Sequence, residues 1–102
     1  HEWIVILPDH EGALELRRKL RPQHLANLCT YPDDFWLWGG PFLRERSNGE
    51  FNEPLGSMLL AWAESPDKVL DELKKDVYTT EGVWDWTKAQ IFPFKSTLRI
   101  GM

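Results

Sequence analysis

Four short apolar runs of strand character, interrupted by two stretches of helical spacing, constrain this chain more than any other feature of its sequence. Residues 2–7 (EWIVIL) are almost wholly apolar, as a strand central in its sheet should be. Pro8, Asp9 and Gly12 mark a turn. Apolar residues then recur at helical intervals over residues 13–29, with Ala13, Leu16 and Leu20 on one stripe and Leu25 and Leu28 continuing it. Pro22 falls inside this helix, where the loss of a backbone donor favours a kink or a fresh helix start. Residues 35–38 read as a second strand, closed by Gly39-Gly40-Pro41, and the polar stretch 42–54, centred on Asn48-Gly49, reads as a hairpin connection. A third strand follows Gly56-Ser57 and runs to Ala63. Ser65 is placed to cap a second helix from Pro66 to about Lys75. A short turn over 76–82 leads into a last strand region, 83–94, with Pro93 near its edge.

The order is β-α-β-β-α-β, the ferredoxin-like split motif, an α+β fold with an antiparallel sheet. Both helices then cover one face of the sheet. Trp38, Leu60 and Trp62 make the other face apolar, and a second copy of the same sheet is its simplest cover, so a homodimer is expected. With 102 residues, the whole of 1–102 is expected to form a single domain, with 96–102 a tail available to a partner.

Charge and residue usage exclude several functions. Twelve basic against 16 acidic residues give a net charge of −4, and Arg17, Arg18, Lys19 and Arg21 are the one basic cluster, which argues against nucleic acid as a partner. The single cysteine, Cys29, cannot form an internal disulfide, and its apolar helical setting implies a buried thiol. No run approaches the about 20 apolar residues that span a bilayer, and no signal-like segment is visible, so a cytoplasmic protein with no membrane partner is expected. The three histidines lack metal-binding spacing, and there is neither a glycine-rich phosphate loop nor a nucleophile elbow around Ser57; no metal and no cofactor are expected. Six tryptophans are too many for so small a core, so some should line a pocket or an interface.

Arg17, Arg21 and His24 follow one another at helical spacings of 4 and 3 and share a face. His24 stands just after Pro22, and an imidazole is the side chain best suited to moving protons near neutral pH, provided a carboxylate orients its other nitrogen. Asp33, Asp34 and Asp76 are candidates, and the sequence does not choose among them. An imidazole satisfied within the core is the competing reading.

Several segments occur in one order: Leu16-Arg17, Arg21-Pro22-Gln23-His24-Leu25, Gly40-Pro41, Gly56-Ser57 with an apolar strand ending Ala63-Glu64-Ser65, Asp76-Val77-Tyr78 with Gly82-Val83-Trp84, and Pro93-Phe94-Lys95. This series resembles the YCII-related (YciI-like) domain family from Trp3 to about Lys95. The resemblance implies a dimeric α+β barrel and an active site built on a histidine and an aspartate, here His24 and Asp76. Tyr78 matches the tyrosine of the family's Asp-Pro-Tyr segment, with Val77 in place of proline, and Ser57 matches its Gly-Ser position. One member resembles a lyase that removes chloride from a chlorinated hydroxyquinol, and more distant relatives isomerise lactones or oxygenate polyketides.

The expected function is cofactor-independent proton transfer, an elimination, dehydration or isomerisation of an aromatic, phenolic or polyketide-like small molecule. Asp76 would orient His24, Ser57 or Tyr78 would donate to an oxyanion, Arg21 would anchor an acidic group, and Trp36, Trp38, Trp62 and Trp84 would supply flat walls. The alternatives are a non-catalytic small-molecule-binding or accessory dimer module, a cofactor-free monooxygenase, and a purely structural assembly domain.

Overall fold

The apolar runs assemble as one antiparallel sheet. The structure is a computed structural model and describes residues 1–98; the last four residues of the expected tail, 99–102, lie outside the described residues. In chain order the elements are β1 (Glu2–Pro8), α1 (Leu14–Leu28), β2 (Trp36–Arg44), β3 (Glu53–Trp62), α2 (Pro66–Lys74), the one-turn α3 (Val77–Thr80) and β4 (Gln90–Phe94). The strands lie in the order β2-β3-β1-β4, every pair antiparallel, which is the ferredoxin-like arrangement.

Register assigns the two faces. Trp3, Val5 and Leu7 pair with Ala61, Leu59 and Ser57, and most of these apolar side chains join the core beneath the helices with Val69, Leu73, Val77, Tyr78, Val83 and Trp84. The alternate set, Ile4, Ile6, Met58, Leu60, Trp62, Phe92 and Phe94, shares the opposite face, because side chains alternate along a strand. Among the described residues no helix covers that face, and Trp62 and Phe92 remain 53% and 46% exposed.

Several elements differ from the sequence expectation. The second strand does not stop at Gly39-Gly40-Pro41. Those residues pair with Leu59, Met58 and Ser57, and β2 continues to Arg44. Pro41 is tolerated because β2 is an edge strand and one side needs no ladder donor. β3 correspondingly begins at Glu53 rather than after Ser57. The last strand is shorter than 83–94. Asp85 accepts hydrogen bonds from the Thr87 N–H and hydroxyl and caps a 3-10 turn over Trp86–Lys88, so only Gln90–Phe94 pairs with β1. Helix α1 runs unbroken through Pro22, whose ring is exposed. Cys29 is exposed at the C-cap of α1 rather than buried. Ser65 caps α2 as expected, accepting from the Lys68 N–H at 3.4 Å. Gly56 is required by close approach: a Cβ there would lie 2.5 Å from the Leu7 carbonyl oxygen and would clash with the edge of the Phe42 ring. Among the described residues no helix is long and apolar enough to cross a membrane.

Candidate active site

Helix α1 carries two polar residues on its core-facing stripe. Arg17 and His24 lie four and 11 positions after the buried Ala13, in phase with Leu20 and Leu28, and both are buried. A charged or polar group in such a position needs partners, and each has them.

His24 Nδ1 lies 2.7 Å from Asp76 Oδ2. The same oxygen accepts the Tyr78 backbone N–H at 2.9 Å, so Asp76 is at once the N-cap of α3 and the partner of the imidazole. A carboxylate only accepts, so Nδ1 carries a ring proton, and in the neutral imidazole Nε2 presents a lone pair. Among the described residues nothing bonds Nε2. The imidazole stacks on the Tyr78 ring with centroids 4.0 Å apart and planes inclined 11°, and it meets Trp84 edge-on at 5.6 Å. Tyr78 is held in turn by its hydroxyl, which donates to the Arg17 carbonyl at 3.2 Å. Burial pushes the Tyr78 hydroxyl above its ordinary range, so it remains a neutral donor.

Arg17 is clamped from two sides. Its Nη1 donates to Asp9 Oδ1 at 2.7 Å, its Nη2 donates to Ser57 Oγ at 2.8 Å, and its guanidinium lies over the Tyr78 ring at 4.9 Å. Ser57 Oγ also accepts from the Trp84 indole at 3.1 Å. Burial pushes the Asp9 carboxyl up, against the pull of the Arg17 charge, and Asp9 Oδ2 is buried without a partner.

These groups border a cavity of about 310 Å³ between α1 and strands β2 and β3. His24, Arg17, Arg21, Ser57 and Tyr78 line it together with Trp36, Trp38, Leu25 and Leu59. A volume of this size accommodates a single-ring molecule. A second cavity of about 220 Å³ shares Leu28 and Trp36 with the first and is bordered by Tyr31, Glu72 and Asp76. Among the described residues no three metal-ligating side chains cluster.

Of the residues singled out from the sequence, His24, Asp76, Ser57, Tyr78 and Trp84 form one connected network, and Arg21, Trp36 and Trp38 border the cavity. Trp84 is a buried support under His24 and Ser57 rather than an open wall. Trp62 is a correction. Its register places it with Ile4 and Leu60 on the helix-free face, away from the cavity. Tyr78 is a second correction: its hydroxyl is engaged by a backbone carbonyl. The buried arginine is Arg17, whereas Arg21 is exposed at the cavity lip. From the sequence, spacing put Arg17 on one face with Arg21 and His24 but gave it no role in the site, and Asp9 read only as a turn residue.

The sequence profile of the YCII-related domain matches residues 2–95. The chain belongs to this family. Aspercryptin biosynthesis cluster protein B of Emericella nidulans is 31% identical over 101 residues; the match takes in 96% of this chain but 65% of that protein, so the chain spans about two-thirds of its relative. Fusaric acid biosynthesis protein 2 of Gibberella fujikuroi is 31% identical over 101 residues, 93% of each chain. Among solved structures, the fold is similar to 5-chloro-2-hydroxyhydroquinone dehydrochlorinase TftG of Burkholderia phenoliruptrix AC1100, determined in complex with 2,5-dihydroxybenzoquinone. The TM-score is 0.79 and the identity 25%, over 93% of this chain and 94% of that one.

Proposed function

We propose that this chain is a small enzyme that carries out cofactor-independent acid–base chemistry, an elimination, dehydration or isomerisation, on an aromatic, phenolic or polyketide-like molecule. The observation that carries the reading is the 2.7 Å contact between Asp76 and His24 Nδ1 at the wall of a ligand-sized cavity. Asp76 holds the proton on Nδ1 and stabilises the imidazolium that forms during reaction. Nε2 removes a proton from a bound enol, phenol or activated C–H and returns it to a leaving group or a second atom, a contribution of about 10²–10⁴-fold. Trp36 flanks the ring of the ligand, and Arg21 at the lip meets an acidic substituent. Relatives from two biosynthetic clusters and a dehydrochlorinase of the same fold support a small-molecule substrate. The apolar helix-free face supports pairing with a second copy of the chain.

The test is turnover of chlorinated and hydroxylated quinols, beginning with 5-chloro-2-hydroxyhydroquinone, followed by chloride release and absorbance. His24→Asn should reduce kcat by about a hundredfold or more while leaving the Kd for 2,5-dihydroxybenzoquinone unchanged. If affinity and turnover fall by the same factor, the histidine binds rather than transfers protons, and a non-catalytic binding module becomes the better description.

A further inference from the structure

We infer that the second cavity, at the C-terminal end of α1, is a binding site for a small organic ammonium ion, an amine carrying one ring or a short alkyl group, held through the free carboxylate oxygen of Asp76. The site is separate from the one proposed at His24, and its test needs no turnover.

Asp76 faces two ways. Its Oδ2 receives both His24 Nδ1 and the Tyr78 N–H, whereas Oδ1 accepts from no group among the described residues. His24 borders the first cavity and not the second, while Asp76 borders the second and not the first. The Asp76 side chain is only 5% exposed, so bulk water does little for the free oxygen. Opposite a neutral imidazole, its charge meets no counter-charge. A buried carboxylate calls for a cation or for further donors, and the second cavity has room for one.

Two further features favour the same charge. Helix α1 ends at the cavity through Asn27 and Leu28 and carries no basic residue in its last turn, so the negative end of its dipole meets no cation of the helix's own. Tyr31 and Trp36 border the cavity with ring centroids 5.6 Å apart and planes inclined 71°, an aromatic corner that attracts cations. Trp36 contributes its ring alone, because its indole N–H is enclosed and unpaired. The other charged groups are occupied with one another. Glu72 accepts from Lys68 at 2.9 Å and from Lys75 at 3.2 Å, and both lysines are exposed at the rim. Asp76 is therefore the acceptor left within.

The walls choose an organic cation. Leu28, Leu73 and the two aromatic rings offer an apolar side that a hydrated metal ion would not use. The volume of about 220 Å³ exceeds the about 150 Å³ that encloses a benzene ring, so one ring with a methylene-ammonium arm fits.

Benzylamine, a cation at neutral pH, and benzyl alcohol, its neutral counterpart of the same shape, test this by isothermal titration calorimetry on the full chain. Benzylamine should bind the native protein at least about tenfold more tightly than benzyl alcohol. Asp76→Asn should weaken benzylamine by about tenfold or more and leave benzyl alcohol unchanged, because the amide oxygen takes the place of Oδ2 and the amide N–H groups then stand where Oδ1 stood. Asn27→Lys puts an ammonium group at a residue that borders the second cavity and not the first, and should abolish benzylamine binding. Asn27 is exposed and a lysine suits a helix C-terminus, so this variant keeps the fold and decides the matter should Asp76→Asn fail to fold. Equal affinity for the two probes, no binding of benzylamine, or undiminished benzylamine binding in Asn27→Lys overturns the inference and leaves the reading at His24 standing.

Discussion

Replacing Asp76 by alanine removes two hydrogen bonds from a single carboxylate oxygen. Oδ2 takes His24 Nδ1 at 2.7 Å and the Tyr78 N–H at 2.9 Å. The second of these is the N-cap of α3, worth about 0.5–2 kcal/mol. The first leaves a buried imidazole N–H unpaired, at about 1–3 kcal/mol. Because α3 is a single turn that carries Val77 and Tyr78 into the core, it has no longer helix over which to spread the loss. Asp76→Ala should therefore destabilise the fold by about 2–4 kcal/mol. Asp76→Asn should behave differently. Both donors converge on one oxygen, so the amide oxygen can replace it and receive both, and asparagine caps helices as well as aspartate. Only the charge is lost, a difference of about 1 kcal/mol between charged and neutral acceptors. Equilibrium urea denaturation at pH 7, followed by tryptophan fluorescence with comparison of midpoints at constant slope, measures both. Equal losses for Asn and Ala, or a loss below about 1 kcal/mol for Ala, would refute the idea that this one oxygen holds both the imidazole and α3.

The contact between Tyr31 and Glu72 should make stability depend on pH at both extremes. Hydrogen bonds from Lys68 and Tyr31, against burial, bring the Glu72 carboxyl from 4.5 down to about 2, so its stabilisation is present above 4.5 and is lost as pH falls toward 2. Burial and the Glu72 hydrogen bond raise the Tyr31 hydroxyl from 10.0 to about 12, so its share is intact below pH 10.0 and is lost as pH rises toward 12. Thermal melts across pH should show both slopes in the native protein, a shallower acid slope in Glu72→Gln and a shallower alkaline slope in Tyr31→Phe; unchanged slopes in the variants would remove this pair as their origin. On the helix-free sheet face, Trp62→Glu and Phe92→Glu should turn a dimer into a monomer in sedimentation velocity over a dilution series. A native chain that sediments as a monomer throughout would show that this face is not a self-association surface.

Much of the architecture was legible because strand and helix periodicities are local. The 2–7 run, the helical spacing after Gly12 and the Ser65-Pro66 start each depend on neighbours within a few residues. The elements that differed depend on distant partners. β2 passes through Gly39-Gly40-Pro41 because β3 supplies its ladder and, among the described residues, no strand lies on its other side. Residues 86–88 leave the extended form because Asp85 caps a 3-10 turn over them, while Trp84 keeps a single antiparallel bridge to Asp9 and its indole meets Ser57.

The candidate site divides in the same way. By itself the sequence set the residue types: an imidazole and two arginines at helical spacing, an aspartate able to cap a short turn, and a serine after an obligatory glycine. It did not select which aspartate meets His24, which arginine is buried, or which tryptophans face the cavity. Those depend on pairs 52 residues apart for His24 and Asp76 and 40 apart for Arg17 and Ser57. Local spacing says which face of a helix a side chain occupies; only the packing of α1 and α3 against the sheet decides what stands opposite, because desolvation compels each buried polar group to find its partner there.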